Sequence, residues 1–166
     1  MATLDKKTLA DKTQLHEIIV AQMRQNLDDI VRSAQAAHGG ATHEDAVAKS
    51  KYDTHGLELS YLAGSQFERA NLLRADIVSF SALKPTLFDK DQAIGVSCLV
   101  SLESIHPNQK KLVFLSPYGA GMTVNWQTSP VSIVSPESPL GVELVDSFAG
   151  DEIEAGSQTL EIISIL

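Results

Sequence analysis

Between His38 and Gly64, in HGGATHEDAVAKSKYDTHGLELSYLAG, the chain gathers Glu44, Asp45, Asp53 and Glu58 with His38, His43 and His55. Imidazoles beside carboxylates raise metal binding as the first chemistry to weigh. The spacings match no recognised ligand pattern, and surface loops commonly carry such groups without a metal, so no resident metal is expected. The serines lack a nucleophile elbow and an ordering partner, which leaves no acyl-transfer triad to argue. Cys98 lies in the apolar run Val96–Leu102. As the single cysteine it forms no internal disulfide, and it reads as a buried structural thiol.

What the acidic stretch can do depends on the elements that hold it. Asp11 followed by Gln14 is a cap-like pair that opens a helix. From there Leu15, Ile19, Met23, Leu27, Ile30 and Ala34 recur at intervals of four or three, and Gly39–Gly40 are expected to stop the helix. A second series of the same period, Leu59, Ala63, Phe67, Ala70, Leu73, Ile77 and Phe80, ends before Pro85. Two such helices of about 25 residues, roughly 38 Å each, should fold back antiparallel so that their apolar stripes cover each other. Gly64 is a weak point worth ~1 kcal/mol that would ease the approach of the first helix. The stretch between the stripes, near 39–57, is then the tip of a hairpin spanning 1–84.

All six prolines lie at or after position 85. Proline removes a backbone donor and clashes with the preceding helical turn, so the architecture changes there. A linker over 85–91 leads into 92–166, where short apolar runs are broken by turn formers. Strands are expected at Ile94–Leu102, Lys111–Leu115, Val131–Val134 and Gln158–Ile165, with Met122–Trp126 a weaker one. SPLGVELVDSF begins with Ser138–Pro139, a cap followed by proline at the first helical position, and carries Leu140, Leu144, Val145 and Phe148 at helical spacing. The second part is therefore strand-rich with one short helix, and the whole chain is α+β.

At 166 residues, 43% hydrophobic and 20% charged, the chain is globular. No run suits a membrane span, and MATLDKKTLADKT lacks the apolar core of a signal peptide, so a cytoplasmic protein is expected. A net charge of −8 argues against direct nucleic-acid binding. Residues 1–84 are close to neutral, with ten Lys/Arg against eleven Asp/Glu, whereas 85–166 carry three against ten. The second part should prefer a basic protein surface.

Taken in order, these features resemble the Gre-type bacterial transcription elongation (transcript-cleavage) factors, the GreA/GreB-like family, with a divergent coiled-coil tip. The strongest local likeness is Ile133–Glu154, IVSPESPLGVELVDSFAGDEIE, through Ser138, Pro139, Leu140, Gly141, Leu144, Gly150, Asp151 and Ile153; TLEIISIL at Thr159–Leu166 looks like that family's final strand. The likeness implies an FKBP-like C-terminal domain that docks on the rim of the secondary channel of bacterial RNA polymerase, with Glu137, Ser138 and Pro139 at the docking turn. It also implies that the coiled coil enters that channel and promotes cleavage of backtracked RNA. Such a factor is not itself an enzyme: it has no cofactor of its own and works on the polymerase's magnesium, touching nascent RNA only indirectly and binding neither DNA nor membrane.

The family's tip aligns with Tyr52–Tyr61. Asp53 matches the first acid and Tyr61 the aromatic, but the second acid, three residues on, falls on Gly56, leaving Glu58 as the nearest substitute. Carboxylates suit magnesium, and a bound metal can activate a water for phosphodiester attack. Five residues of helix turn Glu58 about 140° from Asp53, so the two converge only if Asp53–Gly56 is a turn. Two versions of the function stand: a cleavage factor using Asp53 and Glu58, and a channel regulator that does not cleave. A reading from another class, an FKBP-like prolyl isomerase, would need aromatics around a proline ring. Phe114, Tyr118, Trp126 and Phe148 show no clustering in sequence.

Overall fold

The computed structural model describes the backbone of residues 2–42, 55–104 and 109–166, and side chains over 9–38, 60–104 and 109–166. It is α+β: a pair of long helices precedes a six-stranded sheet that carries one short helix. Helix α1 spans Ala2–Thr42 and helix α2 spans His55–Ala82. α1 thus begins well before Asp11 and runs through Gly39 and Gly40, which were expected to stop it. A glycine weakens a helix by ~1 kcal/mol but neither removes a donor nor clashes, so two of them do not by themselves end one. The expected tip acids Glu44, Asp45 and Asp53, and His43, lie outside the described residues.

Two compact units divide the chain, one of residues 21–78 and one of residues 1–20 with 79–166. In the helical unit Met23, Ala34, Ala63 and Ala70 are buried at positions of the expected stripes, and Ala37, one turn beyond the first stripe, is buried too. Phe67 departs from its stripe and is 40% exposed. Besides Met23, the buried apolar residues of this unit are alanines among the described side chains. Gly64, expected to ease the approach of the first helix, makes no close contact: a Cβ built on it meets nothing within 4 Å.

In the other unit, strands β1 (Leu99–Ser104), β2 (Gln109–Leu115), β3 (Thr123–Trp126), β4 (Ser129–Val134), β5 (Glu152–Ala155) and β6 (Gln158–Ile165) form one sheet in the order β3-β4-β2-β1-β6-β5. Every pairing is antiparallel except β2 with β4. The strand expected from Ile94 begins only at Leu99, because Ser97 takes a positive φ of 75° and the chain turns there. Ile94 instead tucks into the core, its N–H donating to Ser147 O at 2.8 Å and its carbonyl accepting from Asp146 N at 3.0 Å.

Alternation sorts the side chains to two faces. One face carries Val100, Leu102, Val113, Leu115, Ile153, Leu160 and Ile162, which pack with Ile94, Cys98 and Leu144 into a single core cluster. Cys98 is buried there, and burial pushes its thiol pKa up, against a smaller opposing pull from the Lys12 charge. The opposite face carries Leu99, Phe114, Val124, Trp126, Val131 and Ile133, all buried. Phe80 lies against Phe114 with ring centroids 6.0 Å apart and stacks on His16 at 4.4 Å.

Candidate functional site

The turn expected to dock, Glu137–Pro139, opens helix α3 (Pro139–Leu144), which lies on the core-cluster side of the sheet through buried Leu144. Ser138 is the N-cap: its backbone is extended at φ −73°, ψ 158°, and its Oγ accepts from Gly141 N at 3.1 Å. The same hydroxyl donates to Ser135 O at 2.7 Å, while Glu137 N donates to Ser135 Oγ at 3.2 Å. Gly141 permits this closeness, since a Cβ there would stand 1.9 Å from Ser135 O. These hydrogen bonds, with Ser138 N donating to Ser135 O at 3.0 Å, and the one tight approach fix the turn, and Glu137 and Pro139 are exposed on it.

Val142, which the sequence did not mark, stands beside this turn. Three residues on from Pro139, it stands on the same side of the helix as that proline and is 60% exposed. The signal was present as i, i+3 spacing from a proline at the first helical position. Phe148, read as part of the helix's apolar face, lies beyond it: Val145 is the C-cap, and Phe148 is 42% exposed. Its N–H donates to Asp151 Oδ2 at 2.8 Å, and Gly150 takes φ 96°, so the Gly-Asp pair builds the turn into β5.

At the other candidate site, Glu58 falls in the first turns of α2, and Asp53 precedes the described part of that helix. Gly56 is helical, so the turn by which Asp53 and Glu58 would converge cannot extend through it. Tyr61 is exposed on α2. Among the described residues no group of three or more His, Cys, Asp or Glu side chains could hold a metal ion. Among those same residues no helix is long and apolar enough to cross a membrane.

The aromatics weighed for an isomerase pocket are dispersed. Phe114 is buried against Phe80, Trp126 lines a cavity beside Leu112, and Phe148 stands in the turn before β5.

A buried lysine that the sequence did not mark sits in the sheet unit. Lys12 is 1% exposed, its ammonium donating to Thr86 O and, at 2.6 Å, to Leu166 O, and lying 4.7 Å from the centre of the Phe88 ring. Burial lowers its pKa from 10.5 to about 8. His16, one helical turn on, donates from Nε2 to Phe80 O at 3.1 Å, and burial lowers its pKa as well.

No protein-family model matches the chain, and no curated protein matches it. Among solved structures it is similar to the GreA factor homolog 1 (Gfh1) protein of Thermus thermophilus, at 20% identity and a TM-score of 0.38, over 89% of this chain and 94% of that one. It is similar also to Thermus aquaticus Gfh1, at 17% identity and a TM-score of 0.34, over 90% and 94% of the two chains.

Proposed function

We propose that this chain is a Gre-type accessory factor that binds bacterial RNA polymerase, its sheet unit docking on the polymerase and its helical pair entering the secondary channel. The observation that carries the reading is the exposure of Glu137, Pro139 and Val142 at the start of α3. An acid, a proline ring and an isopropyl group stand exposed on a turn that Ser138 and Gly141 make rigid, within a strongly acidic half of the chain. A preorganised turn loses little freedom on docking, and acid around an apolar centre suits a basic, partly apolar protein surface. The strand, Ser-Pro cap, short helix, Gly-Asp turn and strand in which Ile133–Glu154 folds are the order that the Gre resemblance implies.

In this role the chain has no turnover of its own. In the cleavage version Asp53 would reach the polymerase's magnesium and promote cleavage of backtracked RNA, while helical Gly56 provides no turn at its own position to bring Glu58, the nearest second acid, round to it. A specific feature favours a second version, a channel regulator without cleavage: the position three residues after Asp53 is Gly56, which brings no carboxylate.

Binding of the purified chain to bacterial core RNA polymerase tests the reading. Micromolar or tighter binding is expected, weakened at least tenfold by Glu137→Lys or Val142→Asp with the fold retained. Absence of binding overturns the proposal. In stalled elongation complexes, the cleavage version predicts RNA shortening that Asp53→Ala abolishes while binding persists; binding without shortening selects the regulator.

A further inference from the structure

On the face of the sheet opposite α3, a cavity of about 230 Å³ is lined by Leu99, Ser101, Leu112, Trp126, Ser164 and Leu166. Register explains it. Ser101 on β1 pairs with Leu112 on β2 and with Ser164 on β6, so two small hydroxyls meet in mid-sheet where larger side chains would fill the space. A bulge between Ser101 and Leu102 brings Ser164 to that position. Leu166, one wall, is held through its main-chain oxygen by Lys12. Trp126, 8% exposed, forms another wall, and its indole N–H has no acceptor among the described residues.

Two residues further along β1 on the same face, Glu103 pairs across the strands with Glu161, and Glu161 pairs with Glu152. Carboxylates directly opposite one another destabilise a sheet. Among the described residues only Lys110, 3.7 Å from Glu103, offsets the row. An apolar cavity below the ~300–1,000 Å³ of pockets for drug-sized molecules suits one side chain. A three-glutamate row beside it selects positive flanks.

We propose that this face is a second interaction surface, which seats an apolar side chain of a partner protein's segment in the cavity while flanking Lys or Arg residues meet Glu103, Glu161 and Glu152. It lies across the sheet from Glu137–Val142 and does not rest on polymerase binding. A second copy of this chain, at net charge −8, is a poor occupant.

Trp126 is the chain's single tryptophan, so its fluorescence reports the cavity directly. The probe is acetyl-Lys-Leu-Lys-amide, with acetyl-Glu-Leu-Glu-amide and acetyl-Lys-Gly-Lys-amide as controls. A saturable change in emission is expected for the first peptide and for neither control. Glu161→Gln, at an exposed position, should weaken the response about two- to fivefold, and raising salt from about 0.05 M to about 0.5 M should weaken it further. Ser164→Leu, also exposed, fills the cavity and should abolish the response with unfolding temperature retained. No saturable response, an equal response to the glutamate peptide, or indifference to both substitutions overturns the proposal. So does a concentration-dependent dimer, seen by sedimentation, that Ser164→Leu dissolves.

Discussion

Lys12 shows how one residue couples the ends of the sheet unit. Its ammonium is out of water, and its partners are two main-chain oxygens and an aromatic ring; among the described residues no side-chain carboxylate pairs with it. Desolvation outweighs those contacts, so the folded pKa of about 8 lies below the unfolded 10.5. Between these values the unfolded chain binds more protons, and stability rises with pH; below about 8 the whole penalty is present. The gain across the window is roughly 3 kcal/mol. Denaturant unfolding at pH 7.5 and pH 10 should show it, and Lys12→Met should remove this increment from the difference. His16 acts in the same direction at lower pH, its neutral form being favoured, so stability falls as pH drops below 6.5. Gly141 sets a steric limit. Gly141→Ala drives a methyl group into Ser135 O and should cost about 3 kcal/mol, read as a lowered midpoint of unfolding.

Among the elements, α3 is short enough to depend on its cap. Ser138→Ala removes the acceptor for Gly141 N and the donor to Ser135 O, and should destabilise the sheet unit by about 1 kcal/mol. Restoration by Ser138→Thr, measured by the same unfolding curves, separates capping from bulk. This helix start was legible because capping is local chemistry written in adjacent residues. The span of β6, Gln158–Ile165, was legible too, as an apolar run bounded by turn formers. Other features depended on what lies far away in sequence. Phe67 has the right period yet stands 40% exposed between buried Ala63 and Ala70, which periodicity alone does not distinguish. Lys12 reads as a surface residue until Thr86 and Leu166 come to it. Ser101 and Ser164 form a cavity floor only because β1 and β6 pair with a bulge.

At the scale of the whole molecule, charge is the property most open to test. With three Lys/Arg against ten Asp/Glu over 85–166, the proposed binding to polymerase should weaken as salt rises, mainly through slower association, and stopped-flow mixing at two ionic strengths would measure it. The sheet order carries a different consequence, for the time course of synthesis. β6, last in the chain, lies between β1 and β5, so β1 waits for a partner made some sixty residues later. The two long helices form from local contacts, but the sheet must close a long loop first, and such non-local pairing is slow. A nascent chain halted before Gln158 therefore holds β1 with one free edge and β5 with no neighbour, a form that chaperones would bind and the finished protein never exposes.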